Sequence, residues 1–392
     1  MPVITGVETL RVGLPTRRVH KWTGLTEPIG RPLLVRLSDD EGNVGWGEAP
    51  AVKDWGGEFG RYFGETASIA EVVIGQYLAK AITGVEVGNI GELHRRMDSM
   101  IKGYPYAKAA LDIAAWDLAG RASGLSVTQL LGGRVRDRIA ITHSIGLLSL
   151  EEAAAEAEIL GQEGIRTIKV KVGVDPARDI AVVKAVRRAA GDAVELCIDA
   201  NEGWRTPGEA IRTVRAMESV GLKYVEQPVM GIERLAEVAR AIDVPVMADE
   251  SAWNAHDVLQ IIERRAAQIV SIYTTKPGGL YRALQVAAVC TAAGIVCNVN
   301  GSIETGVGNL ANVALAAVAE AVELGCVIPV SRPAESDDRR IGGIYYTDDL
   351  LREAMAFEDG FITVPTGPGF GIDVDEAKID HYRLAPQAGA PS

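Results

Sequence analysis

The chain has 392 residues, 47% hydrophobic and 23% charged, with a formal net charge of −12 from 40 Lys+Arg against 52 Asp+Glu. That composition describes a globular protein able to bury one large core or two moderate ones, and excludes a disordered chain. The acidic balance, with no block of like charge, excludes nucleic acid as a partner; a small anion in a locally positive cleft stays compatible. Cys197, Cys290, Cys297 and Cys326 show no CxxC spacing and stand in apolar runs, so they read as buried free thiols. The N-terminal MPVITGVETLRVGLPT lacks the basic and apolar regions of a signal peptide, and no apolar run reaches the roughly 18 residues of a bilayer span. The expectation is a cytoplasmic protein with no membrane partner.

In chain order, VETLRVGLPT and PLLVRLSDDEGNVGWGEA read as antiparallel strands, with Asp40-Glu41-Gly42 as turn chemistry. Helical stretches follow, among them the Ala-rich AKAALDIAAWDLAGRASG. Residues 1–130 are therefore expected to form an α+β domain.

From Asp137 the pattern changes to short β-branched runs alternating with helical segments. The runs are RIAITHSIG (138–146), RTIKVKVG (166–173), VELCIDAN (194–201), LKYVEQP (222–228), VPVMADES (244–251), AQIVSIYT (267–274) and GIVCNVNG (294–301), with a weaker eighth, CVIPV (326–330). Seven or eight βα units in a row predict a parallel sheet closed into a TIM-type barrel over residues 137–355. The Gly/Pro-rich tail, 356–392, is expected to return to the first domain.

In such a barrel the reactive groups stand at the C-terminal ends of the strands. Read in order, those ends carry Lys169 and Lys171, then Asp199, Glu226 and Asp249. Three carboxylates at equivalent positions, without His or Cys, suit a hard cation such as Mg²⁺. Lys169 and Lys171, two apart on a strand, point to one face. Their mutual repulsion and a nearby divalent cation are expected to lower their pKa, so that a neutral amine can act as a base. The next strand departs from this pattern. VSIYTTKPGGL carries Tyr273 at an inward position and Lys276 before the Pro277-Gly278-Gly279 turn.

Taken together, the K-x-K of IKVKVG, IDAN, VEQP, ADES, the K-x-GG turn, GSIETGVG and the tail GPGFGIDVD resemble the enolase superfamily, in its muconate lactonizing enzyme subgroup. The resemblance covers nearly the whole chain. It implies an α+β capping domain over a modified (β/α)₇β barrel, with Mg²⁺ held by Asp199, Glu226 and Asp249. It also implies abstraction of the proton α to a carboxylate of a small substrate. Lys171 would be the base, with Lys169 tuning its charge and contacting the substrate carboxylate. Asn201, Glu250 and Asn300 would stand just behind the ligands or face the substrate, as would Lys276 and Glu304, with a helix-cap role open for Glu304. A homo-oligomer, an octamer or smaller, is the assembly the family suggests. The mandelate racemase subgroup is disfavoured, because VCNVNG lacks its histidine.

Family members read K-x-x-K-x-GG on strand six, with the first lysine catalytic; here that position is Tyr273. With a pKa near 10 in isolation, tyrosine is a poor base at neutral pH. The reading is therefore chemistry on one face: syn dehydration of a β-hydroxy amino or imino acid, such as cis-3-hydroxy-L-proline. A racemase or epimerase using Tyr273 or Lys276 as second acid/base, a cycloisomerase, and a non-catalytic homologue are the alternatives. In the capping segment, Trp22 could face a ligand ammonium, or pack between domains, and Asp54 could pair with that ammonium. Loops around residues 18–30 and 50–60 are expected to set specificity.

Overall fold

The computed structural model describes all residues except 17–20, 26–28, 51, 163, 302, 330, 332–345 and 386–392. Parts of the expected specificity loops and Val330 of the eighth strand lie outside the described residues.

Strands β1 (Ile4–Arg11), β2 (Leu33–Asp39) and β3 (Val44–Ala49) form an antiparallel sheet in that order. The β2–β3 turn is fixed by Asp39, whose carboxylate accepts the N–H groups of Glu41 and Asn43, an Asx-type turn. The sheet packs on the long helix Pro105–Ser123, which is buried along most of its length. The packing is close because β3 supplies Gly47. A β-carbon there would collide with the Ala110 carbonyl oxygen. Buried on both sides, the helix is apolar nearly all round, as a helix between two layers must be.

The run 138–146, expected as one strand, is two. β4 (Arg138–Ala140) breaks at Ile141 and continues as β5 (Thr142–Ile145). From β5 the parallel sheet proceeds through β6 (Thr167–Lys171), β7 (Glu195–Asp199), β8 (Leu222–Glu226), β9 (Val246–Ala248) and β10 (Ile269–Ile272) to β11 (Val296–Val299). The weak eighth segment closes the ring by bridges alone: Cys326 to Ile141 and Val327 to Asn300, both parallel.

The tail also does something the sequence did not indicate. β12 (Phe357–Glu358) pairs with β13 (Phe361–Thr363), which in turn pairs with β4, at the start of the barrel segment. Beyond that hairpin, Gly369 bridges to Ser126, Arg121 pairs with Asp373, and Arg383 bridges to Val12. Among the described residues, these contacts with the N-terminal layer come from the later part of the tail. No helix among the described residues is long and apolar enough to cross a membrane, and all four cysteines are buried and free.

Candidate active site

Parallel register sets Lys171 beside Asp199 and Asp199 beside Glu226 across β6, β7 and β8. Asp249 follows β9 one residue after its end. The four side chains therefore rise from neighbouring strands into one mouth. Each carboxylate meets a lysine. Lys171 Nζ lies 2.6 Å from Asp199 Oδ2, Lys169 Nζ 3.0 Å from Glu226 Oε2 and 3.3 Å from Asp199 Oδ2, and Lys276 Nζ 2.8 Å from Asp249 Oδ1. All six are buried, so the charges must compensate one another.

The electrostatics follow from that crowding. Burial works against the Asp199 charge, but the Lys171 and Lys169 ammonium groups outweigh it and hold the carboxyl below its ordinary range. Glu226 is pushed up to about 8, by burial and then by Asp199. For Lys169 the expected lowering is reversed. Burial favours the neutral amine, yet Glu226, Asp199 and Asp249 together keep it charged and raise its pKa. The sequence reading weighed the second lysine and a cation; the carboxylates pressed around Lys169 act in the opposite direction.

The donor set is all oxygen and suits Mg²⁺ in kind. As the side chains stand, no three His, Cys, Asp or Glu groups among the described residues converge closely enough to hold an ion. The lysines stand between the carboxylates: Lys169 bridges Glu226 and Asp199, Lys171 takes Asp199, and Lys276 takes Asp249. Asp199 and Asp249 add to the cost of charging Glu226, which is the condition a divalent cation relieves.

Around the ring, Asn201 accepts from Lys171 Nζ at 2.8 Å, donates its backbone N–H to Asp199, and gives its amide N–H to Glu250 at 2.9 Å. Asn201 and the following Glu202 both have left-handed backbone, φ 42° and 63°, a strain that recurs where strand ends carry function. Asn300 donates to Glu226 Oε1 and to Ser271 Oγ. Glu250 is buried beside Asp249 and is held well above the usual carboxylate range, first by burial and then by that neighbour. Glu304 is buried, its Oε2 accepting the Ile303 N–H. The helix-cap role left open for it falls to Thr305, whose hydroxyl accepts from Val307. Trp22 lies with its ring centroid 5.8 Å from Lys171 Nζ, so the cation it faces is the protein's own. Asp54 sits 3.5 Å from Lys53 Nζ and lines a cavity of about 710 Å³ with Leu25, Pro50 and Ile303.

Tyr273 is buried on the wall formed by β10. Its hydroxyl donates to Asp249 Oδ2 at a long 3.4 Å, and its ring meets Trp55 edge-on at 4.9 Å. The Lys276 ammonium sits over that ring at 4.5 Å. Burial, then Asp249 and Glu226, drive the phenol well above its ordinary pKa.

Four supporting residues escaped the sequence reading. Gln227, the middle of the EQP motif, accepts the N–H of both Asp249 and Ser251 and so locks the ADES turn. Glu48 of β3 accepts from Thr305 and Gly308 at the start of the helix Gly306–Val318. Asp112 accepts the Leu280 N–H directly after the glycine turn, while His94 Nε2 lies 2.7 Å from its other oxygen. Asp257 receives Arg61 and the Tyr62 hydroxyl, tying the 58–63 loop to the barrel. The motif EQP was a signal for Gln227; nothing local marks the other three.

The chain's residues 151–378 match the family described as enolase C-terminal domain-like. Residues 9–132 match the mandelate racemase / muconate lactonizing enzyme N-terminal domain. The chain belongs to the enolase superfamily, in its muconate lactonizing enzyme-like subgroup. It is 34% identical over 380 residues to the L-Ala-D/L-Glu epimerase of Bacillus subtilis, spanning 94% of this chain and 96% of that one. It is 31% identical over 378 residues to muconate cycloisomerase 1 of Rhodococcus opacus, at 95% and 96% coverage. Among solved structures, the muconate lactonizing enzyme of Pseudomonas fluorescens superposes with a TM-score of 0.88, at 28% identity, over 98% of this chain and 100% of that one. These superfamily relatives are barrel enzymes, and the architecture is the capped barrel expected from sequence.

Proposed function

We propose that this superfamily member is an isomerase of the cycloisomerase type, acting on a small carboxylate through one lysine on one face. The carrying observation is the pair of walls around the ring: Lys171 on one side, and on the other a buried tyrosine in the position of a second lysine. Asp199, Glu226 and Asp249 would hold Mg²⁺, which supplies charge stabilisation for a substrate carboxylate as its α-proton leaves. Lys171 Nζ takes that proton, and Asn201 Oδ1 orients the amine. The electron pair left at carbon α expels the oxygen on carbon β, opening an internal C–O bond. In the reverse direction the oxygen adds and Lys171 returns the proton to carbon α, so one base closes the cycle. Lys169 stays charged and contacts the carboxylate being activated.

The relatives reported above are named as isomerases, which moves the reading away from the dehydration expected from sequence. Dehydration of a β-hydroxy acid, such as cis-3-hydroxy-L-proline, is the second reading, favoured by the same Tyr273 wall, because Lys171 could return its proton to a departing hydroxyl. Epimerisation requires an acid or base on the Tyr273 side. The test is NMR in D₂O with Mg²⁺ on a panel of lactones, unsaturated dicarboxylates, hydroxyprolines and dipeptides. Ring opening or closure with deuterium at carbon α supports the proposal; elimination of water selects the second reading. Stereoinversion with deuterium incorporation overturns one-face chemistry.

A further inference from the structure

A second concavity lies where the 61–63 loop and the start of the helix Pro105–Ser123 meet the glycine turn after β10. Its volume is about 540 Å³. Its charged lining consists of Arg61, Lys102, Lys108, Lys276 and Arg282 against a single carboxylate, Asp98. On a chain of net charge −12 this is a local reversal of sign, the condition under which a cleft concentrates anions.

Arg61 pairs with Asp257 and Lys276 with Asp249, but the other three cations share one acidic residue. Asp98 serves both Lys108, 2.9 Å from its Oδ1, and Arg282 on its Oδ2, while Lys102 Nζ donates to the Asp98 backbone carbonyl. Lys108 forms the floor, its side chain 5% exposed. Burial holds its ammonium below the ordinary value, and Arg282 and Lys102 press in the same direction against Asp98. Arg61 and Arg282 stand at the rim, 47% and 35% exposed, where planar forks reach oxygens in solution. We propose that this groove binds a small multivalent anion bearing phosphate or carboxylate groups. Pro277 and Gly278 line the groove while Lys276 Nζ holds Asp249 and the Ser271 carbonyl. An anion seated there acts on the segment that fixes the Asp249 side of the catalytic ring.

The experiment is isothermal titration of the full chain with inorganic phosphate and, separately, citrate, at ionic strength held constant with chloride. A saturable one-site heat with either probe is expected, and the tighter of the two identifies the group recognised. The Lys102→Ala/Arg282→Ala variant is expected to bind about tenfold more weakly or worse, and Arg282→Lys within a few-fold of the parent. Circular dichroism checks the fold, and Lys102→Glu alone, at an exposed position, gives the same loss while the Asp98 carboxylate keeps Lys108 and Arg282. No saturable heat with either probe, or binding unchanged in Lys102→Glu and the double variant, overturns the proposal. Because binding is read without substrate, this outcome is independent of the isomerase reading.

Discussion

Asp112, on the helix Pro105–Ser123, occupies the notch left by Gly279 after β10. A β-carbon on that glycine would fall onto the Asp112 side chain, and the Leu280 N–H instead donates to Asp112 Oδ1. Gly279 has φ +129°, a backbone that side-chain-bearing residues rarely adopt. The second G of the turn therefore admits a carboxylate from the other domain, and this contact sets the register of the loop bearing Tyr273 and Lys276.

Gly279→Ala is expected to destabilise the protein by more than about 2 kcal/mol, from both backbone strain and the clash. Asp112→Ala is expected to cost about 2–4 kcal/mol, because it leaves the helix-start N–H and His94 without their buried partner. Urea unfolding measures both.

Tyr273→Phe removes one long hydrogen bond to Asp249 and leaves the ring against Trp55. Turnover on any substrate found is expected to stay within about fivefold of the parent. A loss beyond about a hundredfold in kcat, with KM unchanged, would place the phenol in proton transfer after all.

If the carboxylate ring holds Mg²⁺, adding the ion raises Tm in proportion to its saturation of the site. EDTA reverses the rise and abolishes activity. Asp199→Asn is expected to remove the Mg²⁺-dependent shift and to lower kcat/KM by on the order of a thousandfold. Scanning fluorimetry with and without Mg²⁺ reads the first effect even before a substrate is known.

Glu48 is buried in the β3–helix contact, and burial pushes its carboxyl up to about 8. Between its ordinary value near 4.5 and 8 the folded state binds the proton that the unfolded state releases. Stability from this group is full below the lower value and is lost as pH rises through that window. Unfolding followed from pH 5 to 8 is expected to show a decline that is flatter in Glu48→Gln. Equal slopes in the two proteins would show that Glu48 does not titrate there.

The ring of charged strand ends was legible because a barrel strand announces its end: an apolar run stops at a charged residue, and register places equivalent ends together. The period-two spacing of Lys169 and Lys171 likewise fixed their shared face. What could not be read were partners far along the chain. Asp112 meets Leu280 at a separation of 168 residues and Glu48 meets Thr305 at 257, and a lone acid in a helix or strand carries no record of such distances. The error over Lys169 has the same origin, since its pKa depends on three carboxylates from three other strands. The split of 138–145 into β4 and β5 was hidden because both halves are β-branched, and only the tail strand that pairs with β4 distinguishes them.

That pairing has a consequence for how the molecule comes together. Arg138 donates to the Glu358 carbonyl across 220 residues of chain, so β4 gains its partner only when everything between has been gathered in. Loop closure on that scale is entropically unfavourable until other contacts compensate it, and folding dominated by such contacts is slow. The same tail runs on to bridge Ser126 and Val12 in the cap, so neither barrel nor cap is expected to melt without the other: one calorimetric transition, not two.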